Sequence, residues 1–108
     1  MGLDMYLNGD DDGSVTALGY WRKHPDLHGF IVIAFAGGVD ECQEIPLTKE
    51  NLEMVLKATE QDKLPHTTGY FFGTSFPEDK PETIEIISAA IKWLNESPGR
   101  KVFYRASW

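Results

Sequence analysis

The sequence predicts an α+β domain, and three observations carry that prediction. A short segment at the start of the chain alternates apolar and polar residues, the period-two signature of a half-buried strand, and aromatic-rich runs of strand type recur as far as its end. Longer segments between them place apolar residues at helical spacing. Turn formers such as Asn8-Gly9, Gly37-Gly38 and Ser97-Pro98-Gly99 punctuate the two kinds. The implied order is β-β-α-β-α-β-α-β: a sheet of about five strands covered by three helices, mainly antiparallel and mixed where a crossover pairs two strands in parallel. The 108 residues imply one globular domain spanning 1–108.

Leu3-Asp4-Met5-Tyr6-Leu7 is the first expected strand, with Leu3, Met5 and Leu7 inward. Asn8 to Gly13 reads as a turn, because Asn-Gly and Asp-Gly accept positive φ at low cost. Its run Asp10-Asp11-Asp12 lacks the spacing and closing glutamate of a calcium loop, so it reads as a solvated hairpin tip. A second strand, Ser14 to Lys23, completes the hairpin. Uninterrupted alternation puts Val15, Ala17, Gly19 and Trp21 on one face and Thr16, Leu18, Tyr20 and Arg22 on the other.

Pro25 to Phe35 fits either a buried strand or a helix. The helix is preferred, because Leu27, Phe30, Ile31, Ala34 and Phe35 have helical spacing, Pro25 suits a first turn and Gly37-Gly38 suits a stop. Asp40 to Ile45 reads as a short third strand. Thr48 caps the next helix, with Leu47 and Leu52 as a staple and Leu52, Val55, Leu56 and Thr59 as its buried stripe. Gly69 to Gly73 is an aromatic strand bracketed by glycines. Asp79, with Glu82 reciprocating, caps a third helix whose stripe is Ile84, Ile87, Ala90, Ile91 and Leu94. Lys101 to Trp108 is the last strand.

The net charge of −7 argues against a nucleic-acid binder driven by bulk charge. No apolar run approaches the roughly 18 residues of a membrane span. The start of the chain has neither the basic nor the apolar region of a secretory signal, and the single cysteine, Cys42, allows no internal disulfide. A cytoplasmic location is therefore expected.

The chain resembles a family of small bacteriophage and prophage proteins of uncharacterised function that begin Met-Gly-Leu-Asp-Met-Tyr-Leu, here Met1 to Leu7. The family pattern continues with Gly-Tyr-Trp-Arg-Lys, matched at Gly19 to Lys23, and with a hydrophobic residue and His, matched at Leu27-His28. An acidic stretch with cysteine is matched at Asp40-Glu41-Cys42, Gly-x-Phe-Phe-Gly at Gly69 to Gly73, and a closing Ser-Trp at Ser107-Trp108. This chain departs from the pattern in its short acidic turn between the first two motifs and in its very apolar Phe30 to Phe35. The resemblance implies a phage origin, a shared site and the cytoplasm of a bacterial host, but no reaction.

The anion- or partner-binding candidates are Tyr20, Trp21, Arg22, Lys23, His28, Arg105 and Trp108. Arginine offers a planar fork to phosphate or carboxylate, and tryptophan, tyrosine and arginine dominate interface energetics. Arg22 and Arg105 are expected to converge beside His28 and to pair internally with Asp4, Asp26 or Asp40. Trp21 and Trp108 are expected on neighbouring strands or in one core cluster. Cys42 with His28 or His66 supplies the ingredients of a thiol nucleophile, but a lone cysteine reads first as a small buried hydrophobe. His24 and His28 have the i,i+4 spacing of a metal pair, broken by Pro25. No catalytic residue, metal ligand or cofactor is assigned.

The functional expectation is a phage-encoded accessory protein that binds a host protein, with an anti-defence (anti-CRISPR-type) inhibitor as its most specific form. The alternative is a small enzyme or an anion- or nucleotide-binding protein built on the Arg/Lys/His/Cys cluster.

Overall fold

The computed structural model describes residues 2–67 and 73–108. Its strands are β1 (Asp4–Asp11), β2 (Ser14–Arg22), β3 (Ile45–Leu47) and β4 (Lys101–Ser107). They form one antiparallel sheet in the order β2-β1-β4-β3. Three helices, α1 (Pro25–Phe35), α2 (Lys49–Glu60) and α3 (Asp79–Glu96), complete an α+β fold. The expected aromatic strand at Gly69 to Gly73 lies, except for Gly73, outside the described residues. Among the described residues the sheet has four strands rather than about five.

The first hairpin is tighter than its sequence suggests. Asn8 to Asp11 all keep ladder partners, so the turn shrinks to Asp12 and Gly13, both left-handed at φ 52° and 91°. Positive φ at both central residues matches the twist of the flanking strands. The Gly13 N–H donates to Asp10 Oδ1 at 2.8 Å, holding the tip closed.

A bulge then overturns the expected alternation of β2. Leu7 pairs with Gly19 and Asn8 with Ala17, which leaves Leu18 as the extra residue. One extra residue reverses the phase of everything before it. Trp21 opposite Met5 stays on the inner face and is buried. Val15 and Ala17 move to the outer face, where Val15 is 70% exposed.

The helical reading of Pro25 to Phe35 holds, and the chain turns out of α1 at Gly37 and Gly38, with the Gly38 N–H returning to the Val32 carbonyl at 3.0 Å. The third strand begins later than expected, at Ile45, and Asp40 to Glu44 is loop. Thr48 caps α2 as anticipated: its Oγ1 accepts from Asn51 N–H, while Asn51 Oδ1 accepts from Thr48 N–H. The start of α3 differs. Glu78 already has helical dihedrals, so Asp79 is the first helical residue rather than the cap, and its Oδ2 accepts from Phe76 N–H at 2.8 Å.

All the helix-covered side chains lie on one sheet face. Leu3, Met5, Leu7, Trp21, Ile45, Leu47, Val102, Tyr104 and Ala106 pack there against Leu27, Ile31, Leu52, Val55, Ile87 and Ala90. Trp21 ties β2 to α3 with an indole N–H to Thr83 Oγ1 bond of 3.0 Å between buried side chains. A buried indole N–H needs such an acceptor. The chain burial of these aliphatic and aromatic groups is the main favourable term in folding.

Candidate functional site

Alternation along β1 sends Asp4, Tyr6, Asn8 and Asp10 to the sheet face opposite the core, and their partners follow. Tyr6 sits between Tyr20 on β2 and Arg105 on β4; Asp4 sits between Arg22 and Ser107. Among the described residues no helix covers this face. Tyr6 is 39% and Tyr20 44% exposed, and Arg22 and Arg105 are exposed as well. The tyrosine rings lie 5.4 Å apart and tilted. Tyr20 donates its hydroxyl to Asp4 Oδ1 at 2.6 Å, and that hydrogen bond holds its pKa above the ordinary 10.0.

The expected internal pairing of the arginines does not occur. Each candidate counterion is engaged elsewhere: Asp4 by Tyr20, Asp26 by the Thr67 N–H, and Asp40 by His28 and Trp108. Among the described residues neither Arg22 nor Arg105 has a carboxylate partner.

His28 does not join them. It projects from α1 to the core side of the sheet, which separates it from both guanidinium groups. Its Nδ1 lies 2.6 Å from the Tyr104 hydroxyl and its Nε2 3.0 Å from Asp40 Oδ2. An imidazole carrying its proton on Nε2 satisfies both contacts: it donates to Asp40 and accepts from Tyr104. Burial, helped by the Asp40 charge, raises the Tyr104 pKa well above 10.0, so the hydroxyl keeps the proton it donates. Asp40 Oδ1 in turn accepts from the Trp108 indole at 3.2 Å. This chain of contacts fastens α1, its following loop and β4 together. It exposes no nucleophile.

Three other expectations are corrected. Trp21 enters the core, whereas Trp108 stays 45% exposed beyond the end of β4; β1 lies between their strands. Cys42 is only half-buried, in the left-handed region at φ 57°. His66 is exposed beside Asp26, and His28 is committed to Tyr104 and Asp40, so no thiol–imidazole pair forms among the described residues. Lys23 lies against the Gly73 backbone at the end of β2, with its N–H donating to the Leu3 carbonyl at 2.7 Å. Among the described residues no group of three His, Cys, Asp or Glu side chains is arranged to hold a metal ion. Nor is any helix there long and apolar enough to cross a membrane.

No match to this chain is found among protein-family models, curated proteins or solved structures.

The residues near His24 form a contact that sequence spacing did not reveal. The Ser75 hydroxyl stands 2.7 Å from His24 Nδ1 and accepts from the Asp26 N–H at 3.1 Å. It thereby caps the first turn of α1 from a distant loop, in place of the His24 side chain, which makes no cap bond. The arrangement has a nucleophile type beside a base type, on the wall of a cavity of about 400 Å³. A triad also needs a group orienting the far imidazole nitrogen. Here the Asp79 carboxylate oxygen Oδ2 approaches the same Nδ1 at 3.9 Å, and among the described residues the buried Nε2 has no hydrogen-bond partner.

Burial lowers the His24 pKa below 6.5, against the opposing pull of Asp79 and Asp26. The unfolded chain therefore binds a proton that the folded one refuses. Stability present above about pH 6.5 should fall as the pH drops toward 5, and the His24→Gln variant should lose that part of the slope. Urea unfolding across this range, with variant and wild type in parallel, reads the difference.

Proposed function

We propose that this chain is a small accessory protein that acts by binding a host protein in the bacterial cytoplasm, through the helix-free face of its sheet. The observation that supports this reading is the cluster of Tyr6, Tyr20, Arg22 and Arg105 on one exposed surface, with neither guanidinium group paired to a carboxylate among the described residues. Tyrosine and arginine are among the side chains that most often carry binding energy. A complementary partner surface presents carboxylates to the arginines and apolar groups to the tyrosine rings. The phage-family resemblance makes the host cell the source of that partner and an anti-defence inhibitor the specific form of the proposal.

The test is affinity capture from bacterial lysate with wild type and with a Tyr20→Ala/Arg105→Glu variant that retains the wild-type fold. A protein held by the wild type and released by the variant is then purified and titrated calorimetrically. Capture of the same proteins by both forms counts against the face.

The same guanidinium groups, without a carboxylate partner among the described residues, support an anion- or nucleotide-binding alternative. It differs from the first in one measurable way: saturable binding of phosphate or nucleotide at low salt that Arg105→Ala abolishes.

A further inference from the structure

We propose that the chain forms a two-fold symmetric dimer by pairing the outer edge of β2 with the same edge of a second copy. The two sheet edges are treated very differently. The β3 edge is three residues long and carries Pro46 at its centre, the usual means of blocking further pairing. The β2 edge is nine residues long, and from Ser14 to Trp21 it contains no charged residue and no proline. Among the described residues no strand lies beyond it. The bulge at Leu18 interrupts it once and leaves four residues on either side, Ser14–Ala17 and Gly19–Arg22.

The charges at the ends of this edge choose the occupant. Exposed Asp12 precedes β2 and exposed Arg22 closes it, and among the described residues neither side chain has an ion-pair partner. Antiparallel pairing lays the start of one β2 beside the end of the other. Arg22 of each copy then meets the Asp12 turn of its partner, and both pairs form at once because the interface is isologous. A second copy is therefore complementary to the edge in hydrogen bonding and in charge. Parallel pairing would set Arg22 against Arg22. The antiparallel product is a continuous eight-stranded sheet, counted from four strands in each copy, that leaves the Tyr6–Tyr20–Arg105 face open. The dimer goes beyond the binding reading above: it engages Arg22 and leaves Arg105 and the two tyrosines to that reading.

Sedimentation equilibrium of the full chain at low and high salt tests this. The expected result is a monomer–dimer equilibrium that weakens as salt rises. Arg22→Glu or Asp12→Lys alone should weaken the dimer by about tenfold or more, because each reversal places two like-charge pairs across the interface. An equimolar mixture of the two variants should restore association, since each mixed dimer contains two matched pairs. Lysine is compatible with the left-handed turn position, as Lys23 at φ 56° shows, and circular dichroism checks the fold of each variant. A wild type that stays monomeric at low salt overturns the proposal and leaves the edge to a strand from another protein. A dimer that ignores both reversals, or variants that fail to associate when mixed, overturns it equally.

Discussion

Replacing His28 with alanine should destabilise the protein by about 3–4 kcal/mol, lowering its melting temperature by roughly 15 °C. Losses of different kinds combine at this position. The imidazole is among the fully buried side chains, so truncation leaves a cavity between α1 and the sheet. The Tyr104 hydroxyl, itself fully buried, loses the Nδ1 acceptor 2.6 Å away, and Asp40 loses its 3.0 Å donor. An unpaired buried hydroxyl costs more than the hydrogen bond that was removed is worth. Tyr104→Phe removes the opposite partner with little change in volume, so it should cost only about 1–2 kcal/mol. Guanidinium unfolding of the single and double variants measures the coupling between the two sites. A His28→Ala loss below about 1 kcal/mol would mean the network contributes little to folding.

That network marks the boundary of what the sequence reveals. Period-two spacing was enough to place Leu3, Met5 and Leu7 inward, and with them Tyr6 outward on the exposed face. Tyr20 and Trp21 separated as adjacent strand residues must. The helices were legible because Pro25, Thr48 and the apolar stripes are local signals. Two things were not local. A bulge depends on how two strands share hydrogen bonds, so nothing in Ser14 to Arg22 announces that Leu18 is the extra residue. His28 was grouped with Arg22 and Arg105 because strand ends can converge, yet α1 carries it to the other side of the sheet. Asp40, weighed as a counterion for arginine, faces that same side and meets His28 and Trp108 instead. Proximity in the first case was a question of which strand face each residue occupies, and alternation answers it only after the register is known.

Gly9→Val should cost about 2–3 kcal/mol, and the cause is a ring rather than the backbone. Gly9 faces the helices from the middle of β1, opposite Thr16 and Val102. A Cβ built at this position would stand 2.5 Å and 2.6 Å from atoms of the Trp93 six-membered ring, well inside contact distance. The indole can make room only by moving away, and it is not free to do so cheaply. The Arg100 guanidinium lies 4.5 Å from the Trp93 ring centroid, and one of its N–H groups donates to the Trp93 carbonyl at 2.8 Å. Arg100 also binds Asp11 at 3.1 Å and Glu96 at 3.3 Å, so a displaced ring disturbs the contacts that fasten α3 to the end of β1. Shrinking the obstacle should therefore rescue the strand. Trp93→Leu is destabilising alone through lost burial, but combined with Gly9→Val it should cost less than the sum of the two by about 1 kcal/mol or more. Chemical denaturation of the four proteins closes this cycle. Strict additivity would show that Gly9 is required for some reason other than the approach of Trp93.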